Sequence, residues 1–339
     1  MLSTADETLE RLAERPRILV VGLGGAGCET MADMEAAGLP ESIDVLSINT
    51  DGMHLKGLKV KHRMLVGEMQ LHGRGGGADI ARVKSALEGE EERFKELFRK
   101  YHLVFVIAGL GGGTGSAMLP FCVSLCREVG ALCVPVAILP FEVELESNSL
   151  RRDNARATLK SLITLGGILL VLSNEKLRRF DSEPLRSVFR MRSTYLRELV
   201  LSVVDMVDHP SEINVDLGHV RRLIEEAGLS TLMVAEGHYS DPEALVRQAI
   251  EESFLDFEIV SPGPVLLHME GGSNLSLRTH HNILEAFRAG LHHPREFTFG
   301  TRIRDERSEV VRVTAIMGQI GATAVNRLLS QRIGSGAPN

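Results

Sequence analysis

At 339 residues, 44% of them hydrophobic and 24% charged, the chain is long enough for two ordinary domains and too apolar to be disordered. A net charge of −7 argues against nucleic-acid binding, because the basic residues come only in pairs such as Arg151-Arg152, Arg178-Arg179 and Arg221-Arg222. No apolar run reaches the length of a membrane span, so a cytoplasmic protein without direct membrane contact is expected.

A leading amphipathic helix is expected over residues 1–15. Arg17 to Val21 reads as a short strand that ends in the glycine loop Gly22-Leu23-Gly24-Gly25-Ala26-Gly27, and a helix follows from Cys28 to Ala37. Asp44 to Ile48 is a second strand, closed by Asn49-Thr50-Asp51. A second glycine loop, Gly73-Arg74-Gly75-Gly76-Gly77, precedes a charged helix predicted from Ala78 to Lys100. Leu103 to Ala108 is six apolar residues in a row, the pattern of a strand buried on both faces of a parallel sheet. Behind it stands Gly109-Leu110-Gly111-Gly112-Gly113-Thr114-Gly115-Ser116, then a helix (Ala117–Arg127) and a strand (Leu132–Leu139) ended by Pro140. Helix from Asn154, strand Gly167–Leu172 and one long helix Pro184–Val207 follow. Alternation of this kind specifies an open parallel sheet covered by helices on both faces. Beyond the long helix, strands at Leu232–Ala235, Gly263–His268, Phe297–Arg302 and Val310–Met317, with helices at Asp241–Phe254 and Leu277–Ala289, suggest a smaller α+β domain.

The run from Gly109 is the most informative feature. Glycine lets the backbone take positive φ and bring its N–H groups close to a ligand. Those N–H groups and the positive end of the helix dipole make a cradle for phosphate. Gly22-x-Gly24-x-x-Gly27 also satisfies a dinucleotide fingerprint, with Asp51 near the position of a ribose-binding acid. A nicotinamide-dependent oxidoreductase is therefore one reading. Three glycine loops on one sheet edge suit a longer, more highly charged phosphate chain better. No Gly-Lys-Ser/Thr follows any of them, which excludes a P-loop. Cys28, Cys122, Cys126 and Cys133 read as reduced buried thiols; Cys122 and Cys126 share a helix face, but no second pair stands at zinc spacing and no metal site is expected.

The segment Gly109–Ser116 resembles the signature of the tubulin and FtsZ family, and the FtsZ branch matches better. Six further collinear segments carry the similarity over about residues 16 to 325: Gly22–Cys28, Asn49-Thr50-Asp51, Gly73–Asp79, Pro140-Phe141 with Glu144, Ser173–Leu177 and Asn214-Val215-Asp216. The resemblance implies a parallel-sheet α/β GTP-binding domain, a long central helix and a smaller α+β C-terminal domain. The boundaries expected are 16–182 for the nucleotide-binding domain, 183–221 for the central helix and catalytic loop, 222–325 for the C-terminal domain and 326–339 for a short flexible tail. It further implies binding of GTP or GDP with Mg2+, and head-to-tail filaments with itself or an FtsZ paralogue.

Carried over residue by residue, the resemblance gives Gly111, Gly112, Gly113, Thr114, Gly115 and Ser116 to the β- and γ-phosphates. Gly24, Gly25, Ala26, Gly27 and Cys28 fall around the α/β end, and Asp51 belongs to the same set by position. Thr114 and Ser116 could contact phosphate, cap the helix, or both. Gly76, Gly77 and Ala78 resemble the loop that senses the γ-phosphate. Glu144 would accept from ribose hydroxyls and Arg151 would reach the sugar–phosphate side; their separation is longer than the family's, so Arg152 could replace Arg151. Asn174 matches the asparagine that reads guanine, while Phe189 either stacks on the base or is core. Ser193 and Thr194 stand where an acidic or amide residue normally binds the guanine N1/N2 edge, and Glu29 where asparagine is usual. A weaker guanine preference is expected from these departures. The catalytic loop reads Asn214-Val215-Asp216-Leu217-Gly218-His219, with His219 in place of the family's second acid. Loss of a positioned base costs roughly 10²–10⁴ in rate, although imidazole can itself serve as one near neutral pH. Slow or absent hydrolysis is the expectation. The alternative is a non-hydrolysing module that co-assembles with a paralogue.

Overall fold

The structure is a computed structural model and describes residues 15–208, 215, 217–261, 263–305, 307 and 309–330. Apart from Arg15 the expected leading helix lies outside these residues, as do Asn214 and Asp216.

The strands in chain order are β1 (Ile18–Leu23), β2 (Ile43–Asn49), β3 (Arg63–Leu65), β4 (Leu103–Gly109), β5 (Leu132–Leu139), β6 (Leu169–Ser173), β7 (Leu229–His238), β8 (Phe257–Glu258), β9 (Val265–Gly271), β10 (Phe297–Ile303), β11 (Val310–Met317) and β12 (Gly321–Ala322). Among the described residues ten of them form one sheet in the order β10-β9-β11-β7-β6-β5-β4-β1-β2-β3, while β8 and β12 pair separately. From β3 to β6 every ladder is parallel. The strands are buried on both faces, so alternate residues serve different cores. Leu19, Val21, Val104 and Val106 pack under helices Ile80–Leu87, Glu91–Phe98, Gly113–Glu128 and Ser149–Leu165. Ile18, Val20, Leu103 and Phe105 pack under helices Gly24–Ala36, Leu185–Asp208 and Leu217–Glu226.

Several expectations are corrected. The main sheet of the smaller domain is not separate from that of the first: β7 continues the sheet in parallel with β6 through Leu169↔Leu229 and Leu170↔Ser230. The boundary expected between residues 221 and 222 falls inside helix Leu217–Glu226. The charged helix predicted over Ala78–Lys100 is two helices, broken where Gly89 takes a φ of +90°. The helix expected from Asn154 begins at Ser149, because the Asn148 side chain caps it by accepting from Arg151 N. Part of the expected tail is helical as well. Thr323–Ser330 buries Val325 and Leu328, and Arg327 reaches Glu142 at 2.6 Å.

Candidate functional site

The strand order reverses at β1, which has β2 on one side and β4 on the other. Ligands of open α/β sheets lie outside the carboxyl ends of the strands at such a switch point. A cleft of about 660 Å³ opens there, lined after β1 by Gly24, Gly25 and Ala26 and after β4 by Gly112, Gly113, Thr114 and Gly115. Its volume falls in the roughly 300–1,000 Å³ range of small-molecule sites.

Both glycine loops fold directly into helices. Gly24–Ala36 and Gly113–Glu128 begin without a side-chain cap, so their first N–H groups and the positive ends of two dipoles are left for a ligand. Glycine is required here by proximity. A Cβ on Gly115 would stand 2.5 Å from Gly109 O, and one on Gly27 would stand 2.4 Å from Ile107 O. Gly111, at a φ of +93°, also lies where a Cβ would meet Arg151 Cγ. Among the described residues that line the cleft there is no lysine.

The neighbouring loops are stitched to this cradle. Thr114 Oγ1 meets Thr50 Oγ1 at 2.7 Å. Gly75 N donates to Thr50 O and Gly52 N to Gly73 O, which ties the loop after β2 to the loop around Gly76. Asn154 Nδ2 donates both to Ala78 O (2.6 Å) and to Gly111 O (3.1 Å), clamping that loop to the cradle. Ala78 is held at a φ of +63°, a conformation that costs a non-glycine residue energy and persists only when its surroundings impose it.

Of the residues singled out above, Gly24, Gly25, Ala26, Glu29, Gly112, Gly113, Thr114, Gly115, Glu144, Arg151, Asn174 and Phe189 line the cleft. Others shape it from behind. Ser116 is buried and its hydroxyl accepts from Gly111 N at 2.9 Å, so it holds the loop. Cys28 is fully buried with its thiol donating to Gly22 O and Ile48 O, and burial pushes that thiol up to about 12. Asp51 caps helix Gly52–Gly57 by accepting from His54 N. Gly76, Gly77 and Ala78 pack beside the cradle: a Cβ on Gly113 would lie 3.2 Å from the Ala78 backbone. Glu144 and Arg151 are paired with each other, while Arg152 points into a separate small cavity beside Glu142 and Leu145.

At the far end of the cleft the central helix Leu185–Asp208 presents Phe189, half-buried and 6.3 Å from Phe141. Arg192 lies over the Phe189 ring at 5.1 Å and donates to Asn174 Oδ1 at 2.8 Å. It is 5% exposed, its Nε has no hydrogen-bond partner, and burial lowers the guanidinium to about 10 against the pull of Asp33. Ser193 does not face the cleft alone. Its hydroxyl donates at 2.8 Å to Asp33, a carboxylate on helix Gly24–Ala36 that lines the cleft. Glu29, one turn earlier on that helix, pairs with His54 at 3.4 Å. His219 lies elsewhere, exposed in the first turn of Leu217–Glu226. That helix runs beside the amino ends of β5 and β6: Ile224 O accepts from Ile168 N, and Arg221 and Glu225 line a groove with Ala131 and Gly167.

Sequence reasoning missed Asp33, Thr50, Asn154 and Arg192. Helical spacing held a trace of two of them. Asp33 follows Glu29 by four residues and Arg192 follows Phe189 by three, each on the face already assigned to the site.

A model of the tubulin/FtsZ family GTPase domain matches residues 17–181, and one of the FtsZ family C-terminal domain matches residues 232–321. The chain is 30% identical to the cell division protein FtsZ 2 of Haloferax volcanii over 91% of its own length and 77% of the relative's. It is 28% identical to the cell division protein FtsZ 1 of Archaeoglobus fulgidus over 92% and 84%. Among solved structures, an empty FtsZ dimer from M. jannaschii superposes with a TM-score of 0.79 at 28% identity, covering 93% of this chain and 92% of that one. CetZ2 from Haloferax volcanii shares the fold at a TM-score of 0.77 and 17% identity, covering 92% and 96%. With both domains matched in order and the glycine cradle in place, this chain belongs to the tubulin/FtsZ family.

Proposed function

We propose that the protein binds GTP in the cleft at the carboxyl ends of β1 and β4 and assembles head to tail, with hydrolysis slowed by His219. What supports this reading is the separation of its two chemical halves. The cradle lies at one edge of the parallel sheet, and the helix carrying His219 at the other. β5 is 8 residues long, so at about 3.3 Å per residue roughly 25 Å lie between those edges. No side chain spans that distance, and a second copy stacked on the cleft brings the two together. The phosphates are then held by backbone N–H groups and two helix termini. Magnesium bound to the nucleotide would neutralise phosphate charge; among the described residues no group of three or more His, Cys, Asp or Glu is gathered to hold a metal ion. The dinucleotide reading of Gly22–Gly27 gives way to the family assignment.

The test is to release and identify nucleotide from the purified protein by chromatography, then follow light scattering and phosphate release after adding GTP and magnesium. Guanine nucleotide, rising scattering and slow release are expected. His219→Asp should speed release at least tenfold, against the roughly 10²–10⁴ that a positioned base supplies. Absence of bound nucleotide together with no heat on titration with purine triphosphates overturns the reading. Nucleotide retained with no phosphate release in either variant favours the non-hydrolysing, co-assembling alternative.

A further inference from the structure

Resting on the nucleotide reading above, we propose that the guanine edge is read by Asp33 of the first helix, acting with Arg192, in place of an acid on the central helix. The central helix offers only hydroxyls at the expected positions. Thr194 is turned away, its Oγ1 donating to Arg190 O at 3.1 Å. Ser193 is 2% exposed, and its hydroxyl donates to Asp33 Oδ2 at 2.8 Å, with Phe189 O at 3.2 Å as the longer alternative acceptor. The hydroxyl thus holds a carboxylate from the neighbouring helix, 160 residues away in sequence, beside the place the missing acid would occupy. Ser193 follows Phe189 by four residues, so one helix face carries both the ring and the hydroxyl that orients Asp33.

Asp33 keeps acceptor capacity. One hydroxyl occupies Oδ2, and the Arg190 Nε near Oδ1 is a loose, exposed neighbour at 3.8 Å. A carboxylate has about four lone-pair sites and donates nothing when ionised. Arg192 is the complementary group, donor only and lining the same cleft, with one N–H given to Asn174 Oδ1 and its guanidinium carbon 5.1 Å from the Phe189 ring centre. A site with one acceptor-only and one donor-only group matches guanine, whose N1–H and N2–H donors lie together and whose O6 and N7 acceptors lie together. Adenine sets a donor between two acceptors, so a carboxylate placed for guanine N1–H would meet the lone pair of adenine N1. The pair therefore restores the selectivity that Ser193 and Thr194 alone would lack.

The test is competition of GTP, inosine triphosphate, xanthosine triphosphate and ATP against a fluorescent guanine nucleotide, with magnesium, on the full chain. The wild type should prefer GTP over each of the others by about tenfold or more, the worth of one charge-assisted contact. Asp33→Asn should lower GTP affinity and raise xanthosine triphosphate affinity, because an amide donates to the xanthine 2-carbonyl where a carboxylate repels it. Ser193→Ala, which leaves the carboxylate but removes its holder, should narrow the GTP-to-inosine-triphosphate ratio several-fold while thermal unfolding stays close to wild type. If all four triphosphates bind the wild type and neither variant changes their ranking, the assignment of Asp33 is wrong and the nucleotide reading stands. If none binds, the nucleotide reading fails and this inference with it.

Discussion

The two halves of the sheet are held by different means. At the ends of β1 and β4 backbone approaches backbone so closely at Gly27 and Gly115 that a methyl group does not fit, and uncharged side chains such as Asn154 and Thr50 tie the loops together. Around β9 and β11 an apolar core is supplemented by ion pairs to the central helix. Asp205 of the central helix takes Arg302 and Arg304, and Arg312 joins Glu198 of that helix at 2.7 Å to Glu236 at 2.6 Å. Arg307 adds Glu236 and Glu270 at 3.1 and 3.3 Å. The difference follows from what each half must accommodate. If, as proposed, this edge receives a polyanion, it needs many short donors and no bulk, which peptide N–H groups supply. A sheet face packed against an amphipathic helix has length to span, and Arg side chains reach across it with a planar fork. The central helix belongs to both regimes, with Phe189 and Arg192 at the cleft and Glu198 and Asp205 in the ionic network.

The sharpest way to break this comparison is at Gly115. Gly115→Ala forces a Cβ to within 2.5 Å of Gly109 O. Stability should fall by about 1–3 kcal/mol from overpacking. Nucleotide affinity should fall by a factor of roughly ten to a hundred as an amide contact is displaced. Gly112→Ala meets nothing within 4 Å and should leave stability within about 0.5 kcal/mol. Denaturant melts and calorimetric titration of both variants read the contrast. Equal losses at the two positions would mean that close packing does not explain the cradle.

The ionic half should respond in the complementary sense. Asp205→Ala takes away the carboxylate that Arg302 and Arg304 share, Arg304 keeping Glu270 at 3.5 Å. It should cost about 2–3 kcal/mol, less than the roughly 3–5 of a fully buried pair because the arginines are partly exposed. Nucleotide affinity in the same preparation should be unchanged. A large loss of affinity would show that the two halves are not separable.

Asn154→Ala sharpens the comparison inside the cleft. It removes two hydrogen bonds to loop carbonyls and should cost about 1–3 kcal/mol through unsatisfied buried acceptors. If the clamp sets the Ala78 loop for the last phosphate, triphosphate affinity falls more than diphosphate affinity. Equal falls would limit Asn154 to a structural role.

The smallest effect is on pH. His268 of β9 is 2% exposed, and burial lowers its pKa, opposed by Glu270 and Asp205. A folded pKa below the unfolded value of about 6.5 means the contribution is present above that value and is lost as pH falls toward the depressed one. Chemical denaturation at successive pH values should show stability declining below about pH 6.5, with the decline reduced in His268→Gln. An unchanged slope in the variant would place the acid sensitivity elsewhere.

What the sequence by itself determined was everything carried by short-range pattern. Apolar runs alternating with helical periods specify a parallel sheet, and glycines at the ends of β1 and β4 place the loops that are proposed to approach a phosphate. The resemblance over Gly109–Ser116 located the family, and the family comparisons agree with it. Bounds were lost where a side chain overrode periodicity, as at Asn148, or where one glycine broke a charged run, as at Gly89. Tertiary structure alone decided which polar groups meet. Ser193 and Asp33, Asn154 and Ala78, and Thr50 and Thr114 lie 160, 76 and 64 residues apart. A hydrogen bond acts over about 3 Å, so such partners have no signature in local order until packed helices and strands bring them within reach.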